Sequence, residues 1–477
     1  MTHNIIPVLP VLFRIFILLL PMVNYSQELP GLKNLKGSWM GVLNAGTLEL
    51  RLVMNISFTA SDSALVTFDS PDQGVNDIPT SKVVFTGDSL LVESNLLQGK
   101  FSGSLMGGLD TIRGIWTQRT ISLPLTFNKT DKKTVLNRPQ EPRPPFPYKE
   151  EAVFFPNLFA GIELSGTLTL PEGDGPFPAV VLVTGSGPQN KDEELMGHKP
   201  FFVLSDYLTR LGFAVLRYDD RGTGKSKGVF ETATTFDFAG DAEAALEFLK
   251  KHPAIDTSKI GIIGHSEGGV IASIIASRRA NVGFIVLMAA PGLPGEQILL
   301  LQSALIRKSQ GADDQTIEKE NKLAETLYTI LKKNPDNQKA EKLIREQFAR
   351  FDKKYADDTH YHPLSEEALT GQIHVLTTPW FRCFLTLDPE VYLSKVSCNV
   401  LAMIGSLDLQ VPMSENLKAI ESALIVGGNP NYEMVELPGL NHLFQKAQTG
   451  NPAEYAKIEE TISPQALEVI GSWMKKR

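Results

Sequence analysis

From about Leu32 to Phe127 the chain alternates between apolar and polar positions. Leu48, Leu50, Leu52, Met54, Ile56 and Phe58 fall on every second residue without a break. A period of two marks a strand with one buried face. Shorter runs of the same kind lie at Ala64–Phe68, Lys82–Phe85, Ser89–Glu93, Lys100–Leu105, Thr111–Thr117 and Ser122–Phe127, divided by Gly, Asp, Pro and Asn. This rhythm predicts a small antiparallel barrel or sandwich over residues 28–135.

The pattern then changes twice. Residues 136–149 include the proline-dense run Arg138–Pro147, a stiff, extended linker and a domain boundary. From residue 150 to 477 the chain alternates β and α. Glu151–Phe155 and Ile162–Leu170 predict an antiparallel entry hairpin. Ala179–Thr184, Ala214–Tyr218, Ile260–Ile263, Phe284–Met288, Val400–Ile404 and Glu433–Leu437 are short apolar runs, as expected of central parallel strands buried on both faces. Helical segments such as Phe202–Leu211 and Asp237–Lys251 separate most of them. The fold class is therefore α/β, a doubly wound sheet preceded by an all-β domain. Between Pro291 and about Tyr392 the chain is helical and charged, as at Ala340–Tyr355. An insertion of that length between two strands reads as a helical cap over residues 291–392.

Composition adds bounds. A chain of 477 residues is too long for one ordinary core. Its net charge of −8 argues against a nucleic-acid partner. Ile5 to Val23 is strongly apolar, with Ile15–Leu20 as its densest part and small Ser26 beyond it. Residues 1–26 thus read as a secretory signal peptide, which implies export to the periplasm or outside the cell. The alternative is an uncleaved anchor, but Arg14 shortens the apolar run below the roughly 20 residues a span needs. No other segment is suited to cross a membrane. Cys383 and Cys398 show no spacing that demands a bond, and His360 and His362 read as solvated loop residues. No metal or organic cofactor is implied. The oligomeric state is open, and a homo-oligomer is compatible with the sequence.

The candidate chemistry lies in Gly264-His265-Ser266-Glu267-Gly268-Gly269, which follows the apolar run Lys259–Ile263 and precedes the helical run Val270–Ala276. A G-x-S-x-G between strand and helix is the signature of a nucleophile elbow. A second match, Gly224–Gly228 around Ser226, sits in a polar loop without that context. Ser266 is the candidate nucleophile. A serine hydroxyl needs a base, and the base needs a carboxylate to fix its tautomer. Strand-end logic selects Asp408, after Val400–Ile404, and His442, after Glu433–Leu437. An oxyanion needs hydrogen-bond donors. The N–H of Glu267 and that of Ser186, in the loop Gly185–Gln189, are the candidates. A phosphate-binding reading of that loop fails for want of a G-K-[ST] ending, and Pro188 has no N–H.

Several motifs together carry a resemblance. Gly185–Glu193, Lys199–Phe201, Leu216–Ser226, Gly264–Gly269, Thr378–Phe381, Asp408–Pro412 and Leu440–Gln445 resemble those of bacterial α/β-hydrolases of the EstD-type carboxylesterase group. The resemblance runs from about residue 150 to the C-terminus. It implies an α/β-hydrolase fold with a small β domain ahead of it. It also implies a triad of Ser266, Asp408 and His442, and hydrolysis of short-chain acyl esters. Gly37-Ser38-Trp39 faintly resembles the G-x-W of lipocalin-type barrels, on which a bound apolar ligand is a minor expectation.

The resulting expectation is a secreted serine carboxylesterase acting on a small-molecule ester through an acyl-enzyme. Trp380 and Phe381 are candidate pocket residues in the cap, although core packing would equally account for them. A serine peptidase or aminopeptidase on short peptides is the enzymatic alternative, with Glu366 and Glu367 as candidates to hold a substrate ammonium. A non-catalytic ligand-binding protein, with the β domain as its working part, is the alternative from another class.

Overall fold

Nine strands pair in one antiparallel sheet: β1 (Gly37–Ala45), β2 (Leu48–Phe58), β3 (Ala64–Ser70), β4 (Val75–Pro79), β5 (Lys82–Thr86), β6 (Ser89–Ser94), β7 (Gly99–Leu105), β8 (Thr111–Gln118) and β9 (Ile121–Thr130). The chain is described from a computed structural model over residues 32–45, 48–59, 63–71, 75–108, 110–118, 121–131, 137–278, 282–358, 361 and 363–477. The expected signal peptide, His360 and His362 lie outside these residues.

The strand order is β4-β3-β2-β1-β9-β8-β7-β6-β5. The two edge strands are consecutive in the chain, joined only by Thr80 and Ser81. Ser94 Oγ donates to the Pro79 carbonyl at 2.8 Å, and Thr80 Oγ1 to Val66 at 2.7 Å. The sheet therefore curls into a half-barrel and is not a two-sheet sandwich. Its concave side is filled by side chains. Phe68 meets Trp116 edge-on at 5.4 Å, Phe101 meets Phe127 at 4.9 Å, and Trp39 donates its Nε1–H to Leu35. A core filled in this way does not support the apolar ligand that the G-x-W tripeptide raised.

The linker is anchored rather than free. Arg138 is buried, and its guanidinium donates to the carbonyls of Met196, Gly197, Ala456 and Ile458 at 2.8–3.1 Å. Two of these carbonyls precede the first helix of the α/β domain, and two precede its last helix. Burial pulls the Arg138 pKa down, while Glu141 and Glu459 oppose that shift.

The second sheet comprises β10 (Lys149–Asn157), β11 (Ile162–Leu170), β12 (Phe177–Val183), β13 (Ala214–Tyr218), β14 (Ile255–His265), β15 (Phe284–Met288), β16 (Asn399–Gly405) and β17 (Tyr432–Leu437). Its order is β10-β11-β13-β12-β14-β15-β16-β17. The pairs β10–β11 and β11–β13 are antiparallel, and the others are parallel. β13 and β15 are fully buried, β12 and β16 nearly so, and β14 is buried from Ile260 onward. β17 is not: it is an edge strand and only half-buried, so the expectation of burial on both faces fails there. Strand order reverses around β12, which pairs with β14 so that Val183 lies beside Gly264. The loop after β12 and the turn after β14 thus leave the sheet side by side, at the switch point where open α/β sheets place their sites.

Helices α1 (Pro200–Arg210), α2 (Thr235–Lys251) and α3 (Glu267–Arg278) cover the sheet. The cap between β15 and β16 consists of α4 (Gly295–Ser309), α5 (Asp314–Lys333), α6 (Asn337–Lys354), α7 (Glu366–Leu376), α8 (Pro379–Thr386) and α9 (Glu390–Leu393). After these come α10 (Met413–Val426) and α11 (Pro464–Met474). Nearly every side chain of α3 is buried, as expected of a helix apolar on all sides over Val270–Ala276. Both cysteines are free thiols. Among the described residues, no helix is long and apolar enough to cross a membrane.

Arg138→Ala would strand four backbone carbonyls that now receive charged donors. Each such bond contributes on the order of 1.5–3 kcal/mol. The expected result is a melting temperature several degrees lower by calorimetry, with no rescue by Arg138→Lys, because one ammonium cannot span the fork.

Candidate active site

Ser266 sits between β14 and α3 with a φ of +53°, a left-handed conformation that L-residues rarely hold. Crowding explains why its neighbours are glycines. A Cβ on Gly264 would lie 2.0 Å from the Gly268 carbonyl oxygen, and one on Gly268 would lie 2.1 Å from that of Val183. Neither backbone atom can give way. The Ser266 N–H is tied to the Met288 carbonyl at 2.8 Å, which fixes the turn against β15.

Asp408 and His442 lie beyond β16 and β17, at the same end of the sheet. His442 Nδ1 and Asp408 Oδ2 are 2.8 Å apart, and both residues are buried. Asp408 Oδ1 accepts the N–H groups of Gln410 and Val411, each at 2.8 Å. The carboxylate therefore cannot swing away, and it holds the proton of His442 on Nδ1, which leaves Nε2 free to act as an acceptor. The His442 ring packs 4.8 Å from that of His265, the residue before the nucleophile.

The loop after β12 faces Ser266: a Cβ on Gly185 would be 3.2 Å from the Ser266 Cβ. The Gly185 N–H is already used by Glu193 Oε1 at 2.9 Å. The Ser186 N–H has no acceptor among the described residues, and Glu267 opens α3 with its N–H at the helix N-terminus. The acidic pair after β13 holds the rest of the loop. Asp220 accepts Thr184 Oγ1 and the Gln189 N–H, and Asp219 accepts the Lys191 N–H, each at 2.9 Å. Burial drives Asp220 well above the carboxylate range, against those hydrogen bonds.

Ser226, the other motif serine, is buried and structural. Its hydroxyl accepts the Ser165 N–H at 2.9 Å and donates to the Asp219 carbonyl at 2.6 Å. Glu366 lies on α7 and pairs with Arg345 at 2.6 Å, and its side chain is exposed. The Glu367 side chain lies outside the described residues. Trp380 is buried and donates to Glu267, while Phe381 packs 5.9 Å from Tyr328 within the cap.

Two interactions were not read from the sequence, although all of their residues except Thr235 lie in the quoted motifs. His265 Nδ1 meets Glu193 Oε1 at 2.9 Å, and its Nε2 meets the His442 carbonyl at 3.0 Å. A carboxylate and a carbonyl both accept, so the arrangement suits the doubly protonated imidazolium. The pair joins the loop after β12, the elbow and the loop of His442. The second interaction is the buried carboxyl of Glu267, which receives Ser186, Thr235 and Trp380. Burial pushes this carboxyl up, and the three donors oppose the shift. Neither set was visible in the sequence because its members come from segments far apart in the chain.

Fold and site together describe an α/β hydrolase with a strained serine at its elbow and an Asp–His pair beside it. The chain is similar to several known proteins. The family model described as serine aminopeptidase, S33, matches residues 200–364. Esterase EstD of Thermotoga maritima is 26% identical over 314 residues, 66% of each chain. A peroxisomal succinyl-coenzyme A thioesterase of Mus musculus is 28% identical over 140 residues, 29% of this chain and 30% of that one. The chain thus spans just under two thirds of the first of these relatives and under a third of the second. Among solved structures, an esterase of Pyrococcus furiosus aligns with a TM-score of 0.43 at 16% identity, covering 72% of this chain and 99% of that one. The sequence matches support an α/β hydrolase of the EstD type.

The His265 pair has a pH consequence. Burial lowers the His265 pKa, but Glu193, the His442 carbonyl and Asp408 outweigh it, so the net shift is upward from 6.5. A raised pKa in the folded state stabilises fully below about 6.5, the unfolded value, and that stability is lost as pH rises through the folded value. Glu193→Gln is therefore expected to lower the melting temperature more at about pH 6 than at about pH 9. An equal loss at both would remove the ion pair from the account.

Proposed function

We propose that the protein is a serine hydrolase that cleaves short-chain carboxylic esters through an acyl-enzyme intermediate. One observation carries this reading: a serine held at positive φ on a glycine-walled elbow, with a buried, carboxylate-oriented histidine at the same sheet end. Ser266 Oγ attacks the acyl carbonyl and His442 Nε2 takes its proton. Asp408 holds His442 and stabilises the imidazolium that forms. The N–H groups of Ser186 and Glu267 receive the oxyanion. When the tetrahedral intermediate collapses, His442 returns the proton to the leaving alcohol. Water then attacks the acyl-enzyme, again giving its proton to His442. The apolar stretch at residues 5–23 supports export of the enzyme, so we place its action outside the cytoplasm.

The description of the matched family model favours an aminopeptidase as the second reading. Such an enzyme needs a carboxylate available to a substrate ammonium. Among the described residues, the carboxylates at the site are engaged: Asp408 with His442, Glu193 with His265, Asp220 with Thr184 and Gln189, and Glu267 with three donors. Glu366 is exposed and paired with Arg345. These engagements, and the EstD match, support esters over peptides.

The full chain is expected to turn over acetyl and butyryl esters and to be slow on aminoacyl amides. Ser266→Ala should lower kcat by about a thousandfold or more while the protein stays folded. Faster turnover of the amides would overturn the ester assignment. Full activity in Ser266→Ala would overturn the nucleophile.

A further inference from the structure

Glu267 is 2% exposed, yet among the described residues no cation lies within hydrogen-bond distance of its carboxylate. Instead it receives neutral donors from three separate elements. Ser186 Oγ, on the loop after β12, reaches Oε2 at 2.8 Å, and Thr235 Oγ1, opening α2, reaches Oε1 at 2.6 Å. Trp380 Nε1, on cap helix α8, lies 2.9 Å from both oxygens. Burying a carboxyl without a counter-ion is costly, and an apolar side chain of similar size would fill the space more cheaply. The N-terminus of α3 offsets part of the cost, but it does not explain why three elements converge on one group.

What these donors share is the catalytic geometry. Ser186 carries the candidate oxyanion N–H, and Glu267 itself carries the other. Trp380 belongs to the cap, where its ring stacks at 5.4 Å on that of Phe384 in the same helix, α8. The indole has a single N–H and shares it between both carboxylate oxygens, so a shift of α8 moves the carboxylate on which Ser186 is hung. We propose that the Glu267 side chain is a positioning residue that couples the seating of the cap to assembly of the oxyanion hole. Substrate enclosed beneath a seated cap then meets a loop already turned with the Ser186 N–H toward Ser266. With the cap displaced, Trp380 releases the carboxylate and the loop loses its orientation. This inference rests on Ser266 being the nucleophile.

The test is a double-mutant cycle on the full-length protein with Trp380→Phe and Ser186→Ala. The first variant keeps an aromatic ring at this position and removes the N–H together with the pyrrole half of the indole. The second keeps the backbone N–H and removes the bond to Glu267. Trp380→Phe is expected to lower kcat for a butyryl ester about tenfold at nearly constant KM, below the hundredfold or more that deletion of an oxyanion donor costs. Added to Ser186→Ala, it should lower kcat little further, since the link is already cut. Unchanged kcat in Trp380→Phe, or effects that multiply in the double variant, would overturn the coupling. Fluorophosphonate labelling of Ser266 in each variant separates the two levels. Labelling that persists in all of them while effects multiply refutes the coupling alone, whereas no labelling of the unsubstituted protein refutes the nucleophile.

Discussion

The site depends on how closely three pieces of backbone approach one another around Ser266. The Gly264 Cα faces the Gly268 carbonyl, and Gly268 in turn faces Val183, each at a distance that excludes even a methyl group. That contact presses α3 onto the end of β12 and leaves Ser266 at positive φ. A left-handed conformation costs an L-residue about 1–2 kcal/mol. The surrounding strands absorb this, since β14 is flanked by β12 and β15 and is buried from Ile260 to His265. Because Val183 ends β12, the same contact sets the distance from the nucleophile to the loop that begins at Thr184. The elbow and the oxyanion loop are therefore one geometric unit.

Around that unit the protein has placed carboxylates rather than apolar packing. Each does one mechanical task. Asp408 fixes the tautomer of His442. Glu193 ties Gly185 to His265, and His265 ties the elbow to the loop of His442. Asp220 and Asp219 hold the loop after β12 by its backbone N–H groups. A carboxylate offers about four acceptor positions, so one side chain can join several chain segments that share no ladder. Apolar contacts would be more stabilising per residue, but they do not fix the direction of an N–H.

Much of this was legible in the sequence, and the misses share a cause. Strands with alternating or fully apolar runs were readable because a buried face imposes a period. β1 and β4 were not read as strands: Gly37–Ala45 mixes small and polar residues, and Val75–Pro79 is only five residues long. β17 was read as buried on both faces although it is an edge strand, since sequence does not give strand order. Ser266 was selected by its motif between strand and helix, Asp408 and His442 by strand-end position, and the structure brings them to one end of the sheet. Ser226 was set aside on context, and the structure gives it a turn-holding role. The engagement of Glu267, Glu193 and Arg138 was invisible, because their partners lie tens to hundreds of residues away. A side chain that joins distant segments leaves no local period.

Catalysis at this site turns on where the oxyanion sits. The direct measurement is a crystal structure of the full-length protein after reaction with an alkyl fluorophosphonate. The expected adduct is on Ser266 Oγ, with the phosphonyl oxygen about 3 Å from the N–H groups of Ser186 and Glu267 and His442 Nε2 facing the Ser266 oxygen. An adduct on another residue, Ser226 included, or a phosphonyl oxygen turned away from both N–H groups, would contradict it.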